Sequence, residues 1–157
     1  MSTSTPQSGE KAPEFSLSSS TGETVRLKDL RGRKVVLYFY PKADTPGCTK
    51  EACGFRDAAV EYRKAKVTVL GISPDPVDRV QKFAEKYKLN FPLLADEDHR
   101  IAEAYGVWQQ KSMMGRKYMG VVRTTFVIDE QGKIEKVFEK VKPEGHEREV
   151  MEYLAGD

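Results

Sequence analysis

Cys48 and Cys53 are the two cysteines of this 157-residue chain, and they are five positions apart. Cys48 follows Thr45-Pro46-Gly47, a pattern that predicts a helix with Thr45 as its N-cap and Pro46 as its first residue. Cys48 then lies in the first turn, where free backbone N–H groups and the helix dipole favour an anion. The thiolate is the nucleophilic form of cysteine, so this position suits a reactive thiol. The alternative is an inert core thiol, since free cysteine is often buried.

The spacing of the two cysteines sets a condition on any bond between them. In a regular helix, five residues rotate by about 500° and rise by about 7.5 Å, which puts the Cα atoms about 8.6 Å apart. A disulfide needs Cα atoms closer than about 7 Å, so Cys48 and Cys53 can bond only if the helix start unwinds. Gly47 and Gly54 flank the pair, and a glycine inside a helix costs about 1 kcal/mol relative to alanine. The two glycines therefore weaken the helix in the segment that would have to unwind. The five-residue spacing of the cysteines also differs from C-x-x-C, which disfavours a thioredoxin-type dithiol site.

The elements around this segment alternate between strand and helix. Apolar runs rich in β-branched and aromatic residues predict strands at 34–40, 67–72 and 124–128, with weaker strands at 24–27 and 91–94. Apolar residues at helical spacing predict helices at 48–64, 75–88, 98–105 and 144–154, with Asp75 as N-cap of the second. A turn at 129–132 leads to a hairpin strand at 133–138, and the irregular stretch 109–120 is expected to be a surface loop. This order predicts an α/β fold with a central mixed β-sheet flanked by helices, and it places Cys48 after a buried strand, where such folds hold their sites.

Length and charge exclude several classes of protein. The length predicts one domain, which we place at 12–157, after a polar and flexible tail at 1–11. The net charge of +2 indicates no basic face for nucleic acid, and no run of about 18 apolar residues is present to cross a membrane. The N-terminus lacks the basic start and apolar run of a signal peptide, so we expect a cytoplasmic protein with reduced thiols.

Other polar residues have simpler interpretations. Glu51, one turn after Cys48, is expected to be a solvated charge near the helix start, and Tyr40 is expected to lie in the core. The acidic segment 96–98 is expected to form the first turn of the next helix, where carboxylates are favoured, rather than a metal site.

The residues around Cys48 resemble those of a known family. Pro41-x-x-x-Thr45-x-x-Cys48 is similar to the active-site motif of the peroxiredoxins. The continuation to Cys53 resembles their bacterioferritin comigratory protein or peroxiredoxin Q subfamily, and the segment 123–129, Arg-Thr-Thr-Phe-Val-Ile-Asp, matches as well. The resemblance covers nearly the whole chain. It implies a thioredoxin-like fold and the reduction of hydrogen peroxide and of organic hydroperoxides, alkyl hydroperoxides among them.

The resemblance also implies a role for each site residue. Cys48 would be the peroxidatic cysteine, Thr45 and Pro41 would form its pocket, and Arg123 would approach from a distant strand. Cys53 would be the resolving cysteine, which forms an intramolecular disulfide with Cys48. Thioredoxin or a similar dithiol reductase would then return both thiols. We expect no cofactor, and no metal because two cysteines and two histidines without a second cysteine pair do not form a zinc site; the resemblance favours a monomer.

Three other interpretations stay open on the sequence alone. A redox sensor on the same fold would use the disulfide as a switch instead of a turnover intermediate. A cysteine hydrolase would pair Cys48 with His99 or His146, the two histidines of the chain. A structural domain would hold two inert thiols.

Overall fold

The computed structural model describes residues 5–156. Its strands are β1 Ser16–Ser18, β2 Thr24–Arg26, β3 Lys34–Phe39, β4 Val67–Ser73, β5 Leu93–Ala95, β6 Trp108–Met113, β7 Arg116–Val121, β8 Thr124–Ile128 and β9 Ile134–Phe138. Its helices are α1 Pro46–Asp57, α2 Ala59–Lys64, α3 Val77–Lys86, α4 Arg100–Ala104 and α5 His146–Ala155, with a 3-10 helix at Leu27–Leu30. None of the helices in this part of the chain is long and apolar enough to span a bilayer.

The central sheet has five strands in the order β5-β4-β3-β8-β9. β3, β4 and β5 run parallel, whereas β8 lies antiparallel to both β3 and β9, so the predicted mixed sheet is confirmed. β3 is apolar over almost its whole length because both of its faces are covered. Val35, Leu37 and Phe39 pack in the core on one side of the sheet, whereas Val36 and Tyr38 pack in the core on the other.

The pairing of β3 with β8 decides which distant residue reaches the start of α1. Phe39, the last residue of β3, pairs with Thr124, the first residue of β8. Arg123 therefore lies at the edge of the sheet from which the chain leaves β3 towards α1. The sheet thus brings Arg123 close to Cys48, although 75 positions separate them in the chain.

The stretch 109–120, predicted to be an irregular loop, is instead an antiparallel hairpin of β6 and β7. Met113 pairs with Arg116, so Met114 and Gly115 form a two-residue turn, and both have positive φ (51° and 81°). Two positive φ values are the mark of a type I′ turn, whose twist matches that of the flanking strands. The prediction was wrong because methionine at the first turn position is not one of the residues by which such turns are recognised.

The helix predicted over 48–64 is in fact two helices. α1 ends at Asp57 and α2 begins at Ala59, and Ala58 between them leaves the helical conformation (φ −93°, ψ 4°). The apolar stripe continues across the break because both helices face the same core, where Phe55 and Tyr62 are buried.

Residues 9–11, assigned to a tail by the sequence, pair with the start of β9. Gly9 N donates to Ile134 O at 2.7 Å, and Ile134 N donates to Glu10 O at 2.8 Å. Contact with the sheet therefore begins before the predicted domain boundary, because this polar segment supplies backbone partners to β9. Residues 1–4 of the predicted tail lie outside the described residues.

The acidic segment 96–98 precedes α4, which begins at Arg100, instead of forming its first turn as predicted, but Asp96 does bind the start of that helix. Asp96 is 1% exposed, and its carboxylate accepts hydrogen bonds from the N–H groups of Ile101 (3.1 Å) and Ala102 (2.9 Å). These are two of the N–H groups that the start of a helix leaves without intrahelical partners. Asp96 therefore stabilises the first turn of α4.

Replacing Asp96 with alanine is expected to lower the free energy of unfolding by about 2 kcal/mol, because two backbone donors lose their acceptor. Urea unfolding of both proteins measures this difference. Glu97→Ala, which removes the exposed neighbouring carboxylate, is the control and should change the value by less than about 0.5 kcal/mol. An equal loss in the two variants would contradict the capping role.

Candidate active site

The first turn of α1 carries Cys48. Thr45 is extended (φ −99°, ψ 157°) in the N-cap position, and Pro46 is the first helical residue, as predicted. The Thr45 hydroxyl does not cap the helix, however, and donates instead to Lys42 O at 2.9 Å. Cys48 is the third residue of the helix and is 1% exposed. Its sulfur therefore lies at a helix N-terminus, where the backbone favours an anion.

Arg123 contacts two residues of α1 through one guanidinium group. Its Nη2 donates to Cys48 Sγ at 3.4 Å, and its Nη1 donates to Glu51 Oε1 at 2.6 Å. The backbone of Arg123 is fixed in turn, because its carbonyl accepts a hydrogen bond from Val141 N at 3.0 Å. The structure thus brings Arg123 to Cys48, as the resemblance implied, so that a cation and a helix N-terminus both lie beside the sulfur.

Glu51 is the residue that the sequence analysis misjudged. It was expected to be a solvated charge, yet its side chain is fully buried and paired with Arg123. The reason is helical spacing: Glu51 and Ala52 follow Cys48 by one turn and precede Phe55 by one turn, and all four are buried. Position 51 therefore belongs to the inward face of α1, a signal that was present in the apolar stripe.

The environment of Glu51 disfavours its charge. Burial raises the pKa of this carboxyl from 4.5 to about 7, and the positive charge of Arg123 offsets only part of the effect. Its second oxygen, Oε2, is buried and has no hydrogen-bond partner among the described residues. The site therefore holds a carboxyl group that is half satisfied and titrates near neutral pH.

The loop between β3 and α1 is tied to two neighbouring elements. Asp75 Oδ2 accepts hydrogen bonds from Ala43 N and from Ser73 Oγ, both at 2.8 Å. Asp44 accepts hydrogen bonds from Lys86 Nζ and from the Tyr87 hydroxyl, both at 3.0 Å. The loop that carries Thr45 is therefore held independently of α1.

Two predictions about this region need separate mention. Asp75 is not the N-cap of α3, because Pro76 occupies that position and the Asp75 carboxylate binds the loop. Pro41 is half-buried at the start of the loop, and its place in the pocket of Cys48 stays a prediction.

Cys53 lies on the same unbroken helix as Cys48. Both cysteines are free thiols, and Cys53 is partly exposed whereas Cys48 is buried. α1 continues without interruption from Pro46 to Asp57, so the separation of a regular helix applies and the two thiols are too far apart to bond.

Because Gly47 and Gly54 have no Cβ atom, side chains from other elements can lie close to the backbone of α1. A Cβ at Gly54 would lie 2.9 Å from Glu147 Cδ in the first turn of α5. A Cβ at Gly47 would lie 3.3 Å from both Arg123 Nη2 and Pro143 Cγ. These glycines therefore lower the helix propensity of α1 and at the same time let the guanidinium and α5 approach it.

The two histidines have partners away from Cys48. His99 Nδ1 hydrogen-bonds to Glu103 at 3.0 Å, and its ring stacks on Trp108. His146 is hydrogen-bonded by its two ring nitrogens to Thr125 and Glu149. This arrangement does not support a hydrolase that uses a histidine base.

A metal centre has no support in residues 5–156. That part of the chain contains no group of three or more histidine, cysteine or carboxylate side chains placed to hold an ion.

Tyr40, expected in the core, is fully buried there.

Comparison with known proteins places the chain in a family. Residues 8–137 match the AhpC/TSA family. The chain is 56% identical to the Putative peroxiredoxin bcp of Coxiella burnetii, over 91% of this chain and 95% of the relative. It is 51% identical to Peroxiredoxin Bcp of Escherichia coli, over 94% of this chain and 95% of the relative.

Solved structures agree with the sequence relatives. The bacterioferritin comigratory protein of Xanthomonas campestris is 35% identical with a TM-score of 0.86, over 90% of each chain. Peroxidoxin BcpB of Mycobacterium tuberculosis is 39% identical with a TM-score of 0.85, over 96% of this chain and 97% of that one. The thioredoxin-like fold is thereby confirmed. The chain belongs to the AhpC/TSA family, and within it to the peroxiredoxins of the bacterioferritin comigratory protein and peroxiredoxin Q group.

Proposed function

We propose that this protein is a thiol peroxidase that reduces hydrogen peroxide and organic hydroperoxides with Cys48 as its nucleophile. The observation that carries the proposal is the hydrogen bond of Arg123 to a cysteine sulfur at a helix N-terminus. The relatives support it: the chain is about half identical to proteins named peroxiredoxin, and the Xanthomonas campestris protein is described with an alkyl peroxide reduction activity.

The first step is attack of the Cys48 thiolate on one oxygen of the peroxide. A sulfur–oxygen bond forms, the oxygen–oxygen bond breaks, and the leaving oxygen departs as hydroxide or alkoxide and takes up a proton. Cys48 becomes a sulfenic acid. Negative charge moves from sulfur to the leaving oxygen, so donors fixed along this path stabilise the transition state more than the ground state. Arg123 provides such donors in a rigid fork.

Thr45 and Pro41 complete the proposed pocket. The Thr45 hydroxyl hydrogen is donated to Lys42 O, so the hydroxyl oxygen is the part of the group that stays free to accept the peroxide O–H. The bond to Lys42 therefore favours a Thr45 hydroxyl that accepts from the peroxide over one that donates to it. Pro41 has no N–H group, and its ring would keep water from the sulfur.

The second step requires α1 to unwind. Cys53 then attacks the sulfenic acid of Cys48, water leaves, and the Cys48–Cys53 disulfide forms. Thioredoxin or a similar dithiol reductase would return both thiols by exchange. The anchors of the preceding loop at Asp75 and Asp44 allow the helix to open while the loop stays in place.

One chain supplies the whole proposed site. Cys48, Glu51, Cys53 and Arg123 come from one domain, so we propose that the protein acts as a monomer. A cycle that ends with two thiols suits a reducing compartment, and we propose the cytoplasm as its location.

Replacing Cys48 with serine is expected to lower the rate of peroxide consumption at least about a thousandfold, because the nucleophile is lost. The assay follows peroxide in the presence of thioredoxin, thioredoxin reductase and NADPH. Arg63→Ala, which changes an exposed residue of α2, is the control and should retain the wild-type rate. Peroxide turnover in the serine variant would contradict the proposed role of Cys48.

Replacing Cys53 with serine is expected to separate the two steps. Cys48 should still consume about one equivalent of peroxide and form a sulfenic acid, because the first step does not involve Cys53. Thioredoxin-linked turnover should be lost. Mass measurement of the product after a sulfenic acid trap reports the first step, and the coupled assay reports the second. Full turnover in this variant would remove Cys53 from the cycle.

Replacing Gly54 with alanine is expected to slow disulfide formation about fivefold, because α1 gains about 1 kcal/mol of helix propensity. The new Cβ meets the flexible end of the Glu147 side chain, which can move aside. Quenched-flow mapping of the disulfide measures the rate, and hydrogen exchange of the α1 amides should slow in parallel. Gly156→Ala, at the end of α5, is the control. An unchanged rate in the Gly54 variant would contradict a required unwinding of α1.

A further inference from the structure

Glu51 is a buried carboxyl group inside the segment that must unwind. It lies three residues after Cys48 and two before Cys53 on α1, and its side chain has no exposed surface. Arg123 binds Oε1, whereas Oε2 is buried without a partner among the described residues. Unwinding of α1 would bring both oxygens into water. A charged carboxylate gains most from that transfer, because burial of an incompletely paired charge is unfavourable.

The groups around Glu51 leave its charge poorly compensated. Arg123 is the cation beside it, and the same guanidinium also donates to Cys48 Sγ. Glu147 of α5 adds a second negative charge nearby. On the side of β3, Tyr38 and Tyr40 face the site with neutral hydroxyls, since burial raises the pKa of both. Arg123 is therefore shared between Cys48 and Glu51, Lys111 of β6 is a second cation that interacts with Cys48, and Glu147 adds a carboxylate near Glu51.

We infer that Glu51 is a positioning residue whose ionisation loosens α1 and so favours the unwound form in which Cys53 reaches Cys48. The inference rests on the proposed disulfide cycle and deepens it. It assigns to Glu51 a role in the second step, distinct from the peroxide attack at Cys48. The buried, half-satisfied carboxylate opposes the wound helix because Arg123 compensates only part of its charge, whereas the neutral acid is compatible with burial.

The direction of the pH effect follows from the environment of the carboxyl. Burial raises the pKa of Glu51 from 4.5 to about 7 in the wound helix. Protonation of Glu51 therefore stabilises the wound helix relative to the unwound one, and this stabilisation is complete below pH 4.5. It is lost as the pH rises through about 7. Unwinding becomes more favourable over this range and changes no further above it.

Glu51→Gln tests the inference. Glutamine keeps the shape of the side chain and an acceptor oxygen for Arg123, but it cannot ionise. Sulfenic acid formation and disulfide formation are measured separately by rapid mixing and quenching, with hydrogen peroxide as the oxidant. The readout is the rate of disulfide formation in the wild type divided by the rate in the variant. The ionisation of Cys53 affects both rates equally and therefore cancels in this ratio. The ratio is expected to rise about twentyfold between about pH 5.5 and 7.5.

The matched control is Glu61→Gln, which neutralises an exposed carboxylate on α2. The rate of disulfide formation in the wild type divided by the rate in this control should stay constant over the same pH range. A constant ratio for Glu51→Gln as well would overturn the inference, whereas the rise would support it. If the wild type forms no Cys48–Cys53 disulfide with peroxide, the proposed cycle fails and the inference fails with it. The two failures are therefore distinguishable.

A second measurement covers the case in which Glu51→Gln does not fold. Hydrogen exchange of the α1 amides in the reduced wild type, corrected for the intrinsic pH dependence of exchange, reports the opening equilibrium of the helix. Opening should increase about twentyfold from about pH 5.5 to 7.5, by the same factor as the rate ratio, if Glu51 acts as inferred. Opening that does not change with pH would overturn the inference without any variant.

Discussion

The guanidinium group of Arg123 joins the sulfur of Cys48 to the rest of the fold. One of its nitrogens contacts Cys48 Sγ at 3.4 Å, and another contacts Glu51 Oε1 at 2.6 Å. Both partners lie on α1, whereas Arg123 arrives through the antiparallel pairing of β8 with β3. Because the donors belong to one rigid fork, the group that donates to the sulfur also fixes the position of the helix. Sulfur chemistry and helix position are therefore coupled through a single side chain.

α1, which carries the candidate site, has strong contacts at its two ends, whereas its interior contains features that destabilise the helix. The loop before it is bound through Asp75 and Asp44, and its last turn passes directly into α2. Inside it, Gly47 and Gly54 lower the helix propensity, and a buried carboxyl at position 51 has one unsatisfied oxygen. These features make local opening of α1 easier than opening of the sheet, whose central strand β3 is covered on both faces.

The local sequence pattern predicted an element correctly wherever a single property, such as a continuous apolar run, decided its structure. The apolar runs of β3, β4 and β8 lie where the sequence predicted strands, because only residues covered on both sides can be apolar throughout. Prediction was wrong where the deciding contact was distant or the local signal unusual. Glu51 resembles a surface charge until Arg123 is placed beside it, and the hairpin of β6 and β7 turns at Met114 without the residues that usually mark such a turn.

The sequence by itself determined that a cysteine follows a buried strand at the start of a helix, and that a second cysteine lies beyond bonding distance on the same helix. Both conclusions depend on helix geometry, which acts over a few residues. Only the tertiary structure decided which cation reaches the sulfur, which carboxyl shares that cation, and what binds the preceding loop. Those partners are tens of residues away in the chain, and the register of the sheet, which no local pattern encodes, brings them together.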